Sequence, residues 1–392
     1  MRHRPTEILI NVGHGIDHGF LLIFATAVTA IARDFGLARW EDLMPYSVAA
    51  FFLFGLGALP SGKYGDQWGR RPMMILYFAG MGVACFLVGL AQSPIQIAIA
   101  LALLGCAASI YHPVAIPMLL RHSTRPGWTI AVNALAGNLG IAMAAMITGF
   151  LIKYFGWRMA FFVPGALSLG CAALFAWLVP IETEAPARKK AVAASSGHAA
   201  SVARVLLIMT VASTAASLLY NFSTNSNYEL LASKLADLVT DPARLGVLLA
   251  LVYGFASLLQ LVVGSMIDRY PLKVLYLLIV GAQVLFVFLA ALSDGWVFYG
   301  MMILFMATIF GSVPFADALI VRFVDDSIRS RVAGLRMTIS LGASSLAVWL
   351  IGPVVKQAGF NTLLALMTGI AAAAFLVITT LPHPRNTPAL QV

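Results

Sequence analysis

The chain has 392 residues, of which 60% are hydrophobic and only 10% are charged, and its formal net charge is +9. Soluble domains carry roughly 25% charged residues, so this composition excludes a soluble globular protein. The apolar runs are continuous and about 20 residues long, the length of one helical crossing of a bilayer. We therefore predict an all-α membrane protein. The positive charge does not indicate a nucleic-acid partner, because the cations lie in loops between the runs.

Twelve apolar runs follow one another along the chain. They lie near residues 10–32, 44–61, 73–91, 95–118, 128–152, 158–180, 204–232, 244–264, 273–292, 296–318, 331–355 and 361–381. A long polar segment rich in small residues separates the sixth run from the seventh. We predict two pseudo-symmetric six-helix bundles over residues 1–180 and 204–392, joined by a linker over 181–203.

The distribution of lysine and arginine predicts the orientation in the membrane. On one side, 18 of the 25 cations accompany both termini and the linker. Because basic loops remain in the cytoplasm, both termini and the linker should be cytoplasmic.

The first span contains Asn11, His14, Asp17 and His18. Spacings of three and four place Asn11, His14 and His18 on one helix face, with Asp17 beside them. An ionisable side chain that faces lipid costs at least about 2.5 kcal/mol, so these groups should face protein or a water-filled cavity. We interpret them as a proton site in which Asp17 carries the proton and the two imidazoles tune it. The alternative is that they lie near the membrane surface and are solvated.

Other spans carry polar side chains that suit a substrate cavity. In the fourth span Pro113 removes a backbone donor and can kink the helix beside its neighbours. In the fifth span Gly137 and Gly140 should allow close helix packing. In the seventh, residues 227–229 are expected to form an exposed helix end. The cavity candidates are Asn11, Tyr111, His112, Asn138, Tyr220, Asn221, Asn225 and Tyr253, with Gln260 weaker. Asp317 and Arg336 suggest a salt-bridged gate or, equally, solvated helix ends.

One loop occurs twice. Gly62 precedes Asp66 by four residues, Gly264 precedes Asp268 by four, and the two aspartates are 202 residues apart. Such a repeat at half the chain length is typical of transporters built from duplicated bundles. We predict a conformational switch in which each aspartate accepts hydrogen bonds that close the cytoplasmic side in one state. Its residues are Gly62, Asp66, Gly69, Arg70, Arg71, Gly264, Asp268 and Arg269.

The span count, the linker and the paired loops resemble the major facilitator superfamily. A narrower similarity joins His14-x-x-Asp17, residues 107–113 and residues 137–140 to its fosmidomycin-resistance branch. The resemblance implies a monomeric secondary transporter of the bacterial inner membrane, with protons and a small-molecule substrate as partners and alternating access as mechanism. It also implies proton-driven drug efflux. Ala144-Ala145 departs from the Gly-Pro pair that antiporters of this kind carry.

Two other functions remain open. Uptake or exchange of a small organic acid or a divalent metal is one, because His14, His18 and Asp17 together suit a cation. A membrane receptor or enzyme is the other, although the sequence has no plausible nucleophile and base. The absence of a Walker loop argues against ATP as the driving force. We predict no cofactor and no resident metal.

Overall fold

The computed structural model describes residues 4–121, 123–181, 199–267, 269–323 and 326–381, and within these ranges the regular structure is helical. The α-helices are α1 (Arg4–Asp34), α2 (Val48–Trp68), α3 (Arg70–Leu90), α4 (Pro94–Ala108), α5 (Tyr111–Leu120), α6 (Pro126–Phe155), α7 (Met159–Leu178), α8 (Ala199–Lys234), α9 (Pro242–Ile267), α10 (Leu272–Ala291), α11 (Gly295–Phe323) and α12 (Asp326–Thr379). Two short 3₁₀ helices, Trp40–Asp42 and Met44–Ser47, precede α2.

Eleven helical stretches in the described ranges are long and apolar enough to cross a membrane. The sequence predicted twelve, and the difference arises in α12, which joins the last two predicted runs. Gly359 interrupts that helix with φ 77° and ψ 175°. A positive φ of this kind is favourable only for glycine.

Large apolar side chains cover the outside of the bundle. Trp177 is 80% exposed, Ile95 66% and Leu278 64%. Lipid accepts this surface, whereas the polar backbone groups of a spanning segment must be satisfied within the protein, as they are in a helix. The centre is occupied by α1, where Ile10, Ala27 and Val28 are 0% exposed.

Helices α1 and α6 approach each other closely through glycines. A Cβ atom on Gly140 would lie 2.1 Å from the carbonyl oxygen of Gly15, and one on Gly137 would lie 2.9 Å from the ring of His14. The predicted packing role of these glycines is therefore correct. Their small size also makes room for the His14 imidazole between the two helices.

The fourth predicted span is broken into α4 and α5 at Ser109–Ile110. Pro113 explains the break, because it has no N–H to donate to the carbonyl of Ser109 four residues earlier. Ser109 Oγ donates instead to the carbonyl of Cys106 at 2.7 Å. The break brings Tyr111 and His112 to the start of α5, beside α1.

The prediction that the two repeated segments are loops is wrong for most of their length, because α2 continues through Gly62 and Asp66 to Trp68 and α9 continues through Gly264 to Ile267. We keep the name loop for these segments. A repeated helix cap follows each of them. After the first loop, Arg71 Nε donates to the carbonyl of Val179 at 2.7 Å, and its Nη2 donates to that of Ala176. After the second loop, Lys273 Nζ donates to the carbonyl of Leu381 at 2.7 Å. The donors are 202 residues apart (273 − 71), and so are the acceptors (381 − 179). Both cations thus bind carbonyls at the end of a helix, where cations are favoured.

Candidate functional site

A buried polar cluster joins α1, α5 and α6. His14, Asp17 and His18 from α1 meet His112 from α5, as their predicted depths suggested. The ring centroids of His14 and His112 are 5.2 Å apart, and those of His18 and His112 are 5.6 Å apart. Tyr111 stacks on His14 with centroids 4.9 Å apart.

The hydrogen bonds of His14 define its tautomer. His14 Nδ1 lies 2.6 Å from the carbonyl oxygen of Asn133. A carbonyl only accepts, so Nδ1 carries a hydrogen. In the neutral ring Nε2 is then an acceptor, and His18 Nε2, 3.1 Å away, donates to it. The two imidazoles are thus hydrogen-bonded to each other, and His14 is anchored to α6.

The carboxylate of Asp17 is the most unusual group in the cluster. Its side chain is 0% exposed, and neither oxygen has a hydrogen-bond partner among the described residues. The nearest group able to pair with it is the His112 imidazole, whose Nε2 lies 3.5 Å from Asp17 Oδ2. A buried carboxylate is costly without a proton or a paired charge. A small movement would turn this separation into a charge-assisted hydrogen bond of about 2.8 Å.

A neutral network supports the imidazoles. Asn133 Nδ2 donates to Asn11 Oδ1 at 2.9 Å and to the Tyr111 hydroxyl at 2.8 Å. Tyr111 donates in turn to the carbonyl of Ile10 at 2.9 Å, and Tyr77 donates to the carbonyl of Gly13 at 2.7 Å. Asn133 and Tyr77 were not among the predicted site residues. An amide within an apolar run was a signal for Asn133, but Tyr77 carried none.

The C-terminal half contains a different polar network, made of amides and hydroxyls. Asn221 Nδ2 donates to the carbonyl of Ser217 at 2.9 Å and to Ser344 Oγ at 2.8 Å. Asn225 Nδ2 donates to the carbonyl of Asn221 at 3.1 Å. Tyr220 and Tyr253 flank Phe310, with centroids 5.5 Å and 6.1 Å from it. The predicted candidates of the seventh and eighth spans therefore lie in one region.

The expectation that residues 227–229 form an exposed helix end is wrong. Asn227 is 0% exposed and Glu229 is 8% exposed. The reason is that α8 continues to Lys234 and packs against α1. Thr29 Oγ1 donates to Glu229 Oε1 at 2.7 Å. Sequence reasoning missed this contact because its partners are 200 residues apart.

Three polar contacts join the two halves on the side where α1 and α6 end. They are Thr29 with Glu229, Lys153 with Asp241, and Lys356 with Asp42. The hydrogen bond from Lys153 holds the pKa of the Asp241 carboxyl below its usual range. Within the bundle, Asn138 Nδ2 donates to Gln260 Oε1 at 2.9 Å, again across the halves. We call the first three the end contacts.

The switch and gate residues lie apart from this cluster. Asp66 is exposed, and no ion pair joins it to another residue in the described ranges. Gly69 separates α2 from α3 with φ 92°. Gly62 lies near Pro113, Gly264 has open space around it, and Arg269 is exposed. Asp268 lies outside the described residues. Arg336 Nη2 donates to Asp317 Oδ1 at 2.7 Å within the C-terminal half.

Residues 12–233, more than half of the chain, match the family model of the Major Facilitator Superfamily. The chain belongs to the Major Facilitator Superfamily. This confirms the wider resemblance predicted from the sequence, whereas the fosmidomycin-resistance branch stays a prediction. A member of this transporter superfamily is not an enzyme, as predicted.

Individual relatives agree with this membership. The chain is 31% identical to the tetracenomycin C resistance and export protein of Streptomyces glaucescens, over 48% of this chain and 35% of that protein. It is 25% identical to the multidrug resistance protein MdtG of Proteus mirabilis, over 80% of each. The chain thus spans about a third of the first relative. The crystal structure of a D-xylose–proton symporter has the same fold, with a TM-score of 0.80, 13% identity and coverage of 98% and 99%.

Proposed function

We propose that this superfamily member is a secondary active transporter that exports a small organic solute in exchange for protons. The observation that carries the proposal is the Asp17 carboxylate, which is fully buried without a donor and faces His112 at 3.5 Å. A carboxylate in this position has to gain a proton or a cationic partner. It is therefore suited to take up and release one proton in each transport cycle.

Asp17, His14 and His18 are proposed as the coupling site. The His112 side chain is 21% exposed. An imidazole that reaches water can exchange protons with it. The His18–His14 hydrogen bond extends the route into the bundle. Protonated His112 would pair with ionised Asp17, and protonated Asp17 would release it. The two states differ in charge placement, which is what a coupled conformational change requires.

The substrate cavity is proposed to lie between the halves. Asn11, Tyr111, His112 and Asn138 would line it from the N-terminal half. Tyr220, Asn221, Asn225 and Tyr253 would line it from the other half. Amides, hydroxyls and rings without fixed charge suit a polar organic solute. The Asn138–Gln260 hydrogen bond supports this location, because it already joins the two walls.

Alternating access is proposed to occur between residues 1–180 and 204–392, joined by the cytoplasmic linker 181–203. We propose that the kink at Gly359 divides α12 into two crossings. Twelve crossings would place both termini on one side of the membrane, which we propose to be the cytoplasm. The end contacts would then close the periplasmic side. The exposed Asp66 carboxylate fits an open cytoplasmic side, where the switch residues of both loops and the Asp317–Arg336 gate would form their closing contacts in the opposite state.

Export is favoured over uptake because the relatives include a resistance and export protein and a multidrug resistance protein. One observation favours a second candidate, a divalent metal as cargo. Three imidazoles offer nitrogens within 4.8 Å of one another. Exchange of an organic acid remains the third candidate. We propose a monomer in the bacterial inner membrane.

Purified protein in liposomes under an imposed pH gradient tests the proposal. A panel should include neutral and cationic drugs, organic acids and divalent metals. We expect a drug-like solute to move against its own gradient when protons move the other way. Movement of solute and protons in the same direction would contradict export.

A single labelling experiment tests the orientation. In a background without Cys85, Cys106 and Cys171, a cysteine at Ser195 should react with a membrane-impermeant reagent only from the cytoplasmic side. Reaction from outside in intact cells would reverse the proposed topology.

A further inference from the structure

We propose that His14, His18 and His112, together with Asp17, form a binding site for one divalent transition-metal ion of the zinc type. The ligand nitrogens of the three imidazoles all lie within 4.8 Å of one another, and they come from two helices. Asp17 Oδ2 lies 3.5 Å from His112 Nε2. Three nitrogens and one oxygen complete a four-coordinate site.

The spacing needs only small adjustments. With Zn–N bonds of 2.0–2.1 Å, the nitrogens of a tetrahedral site lie about 3.4 Å apart. The Nε2 atoms of His14 and His18 are already 3.1 Å apart. The widest pair has to close by about 1.4 Å. His112 is able to make that movement because it is partly exposed and follows the break between α4 and α5.

The surroundings of His14 are those of a metal ligand. Ligating histidines usually donate their second ring nitrogen to a carbonyl or carboxylate, which fixes the ring and its tautomer. His14 Nδ1 does so to the carbonyl of Asn133 at 2.6 Å. This leaves the lone pair of Nε2 directed toward the centre of the cluster. Gly137 leaves room for the ring in this position.

Asp17 supplies the second, independent observation. Both of its oxygens are buried and have no hydrogen-bond partner among the described residues. A metal cation bound beside it would supply the partner that a buried carboxylate in this state requires. Imidazoles select zinc, copper, nickel or iron over magnesium and calcium, which prefer oxygen ligands.

This inference does not depend on transport. An ion and a coupling proton would occupy the same atoms and exclude each other, so binding to the purified chain tests the ion alone. Failure of metal binding leaves proton-driven transport intact, and failure of transport leaves the binding result intact.

Cobalt is the probe, because Zn²⁺ has a filled d shell and no visible spectrum. The full chain, purified in detergent through a tag without histidine, is titrated with Co²⁺ while the visible absorption is recorded. We expect saturation at one ion per chain with the intense bands of tetrahedral cobalt, reversed by Zn²⁺. His18→Ala and His112→Ala should abolish saturable binding. Asp17→Asn should weaken it about 10- to 100-fold.

Two variants serve as controls. Asp294→Asn removes an exposed carboxylate that pairs with Lys234, away from the cluster. Ser168→Ala removes a buried hydroxyl that donates to the carbonyl of Phe78. Both variants should bind cobalt like the unmodified chain. Thermal unfolding without metal shows whether each variant is folded. If His18→Ala fails to fold, the cobalt affinity of the isosteric Asp17→Asn variant decides whether the proposed site binds the ion. A spectrum of hydrated octahedral cobalt, or equal affinity in Asp17→Asn and the unmodified chain, would overturn the proposed four-ligand site.

Discussion

The two halves of this molecule share a mechanical element and differ in their chemistry. In each half a Gly-x-x-x-Asp sequence near the end of a helix is followed by a cation that binds carbonyls at the end of the last helix of that half. Arg71 binds those of Val179 and Ala176, and Lys273 binds that of Leu381. The common offset of 202 residues is what the predicted duplication of one bundle would produce.

The buried polar groups, in contrast, differ between the two halves. The N-terminal half holds three imidazoles and a carboxylate around α1. At the positions 202 residues later the sequence has Ala216, Leu219, Tyr220 and Pro314. The C-terminal half instead buries the uncharged Asn221, Asn225 and Ser344, and the buried carboxyl group of Glu229 lies outside their network, at the contact with Thr29 of α1. We propose on this basis that proton exchange takes place in the N-terminal cluster, and that the amides and hydroxyls of the C-terminal half hydrogen-bond a substrate.

The largest expected effect concerns the titratable cluster of the N-terminal half. Asp17→Asn keeps the shape of the cluster and removes the group that gains and loses a proton. We expect uphill transport driven by a pH gradient to be abolished, while exchange of substrate for substrate continues. Liposomes loaded with the solute from the panel measure both. Asp34→Asn, which changes a carboxylate that pairs with Arg158 within the same half, is the control and should still accumulate substrate. Accumulation by Asp17→Asn would refute the assignment.

A smaller effect is expected in the uncharged polar network of the C-terminal half. Asn221→Ala removes an amide that donates to the carbonyl of Ser217 and to Ser344. We expect substrate affinity to fall about tenfold, or about 1.4 kcal/mol, while the dependence on the pH gradient stays unchanged. His112→Ala should weaken affinity similarly and also alter the pH dependence. Equal pH profiles for Asn221→Ala and His112→Ala would show that proton exchange and substrate binding are not assigned to different halves.

The folding pattern and half of the site could be predicted from the sequence, because both depend on local spacing. Helical periodicity placed His14 and His18 on one face, and Pro113 marked the break that brings His112 to them. Contacts between distant segments were not predictable. The acceptor for His14 is a backbone carbonyl of Asn133, which no residue type reveals. Glu229 was misjudged because only the packing of α8 on α1 buries it.

The joining of the last two predicted spans into α12 was also not predictable from the sequence. Both apolar runs were recognisable, but whether Gly359 ends a helix or only bends it depends on one backbone conformation. Gly69 shows the alternative outcome, since a positive φ there separates α2 from α3. Composition alone does not distinguish the two glycines.

The repeated helix cap predicts that removing the cation lowers the stability of the protein in both halves. Arg71→Ala and Lys273→Ala each remove a charged donor from terminal carbonyls, which should cost about 1.5–3 kcal/mol at a partly buried site. Arg71 makes two such bonds and Lys273 one, so we expect the larger loss for Arg71→Ala. Thermal unfolding in detergent measures both. A loss in only one variant would mean that the duplicated geometry is not equally used.

The smallest expected effect concerns the end contacts. The Lys153 hydrogen bond lowers the pKa of the Asp241 carboxyl. A group whose folded pKa is lowered stabilises the closed arrangement above its ordinary value, roughly 3.9. That contribution is lost only as the pH falls through the lowered value. Between about pH 5 and 8 this pair should therefore be insensitive to pH.

Spin labels on the ends of α6 and α9 test this expectation. If no other group titrates, the distance between the labels should not change over this pH range, either in the unmodified chain or in Asp241→Asn. At every pH the distance should be slightly larger in Asp241→Asn. Any widening of the unmodified chain in this pH range should disappear in Asp17→Asn and persist in Asp241→Asn. The reverse pattern would place the titrating group at the contact between the halves. The proposed separation of proton exchange from neutral recognition would then fail, because the charged step would belong to both halves at once.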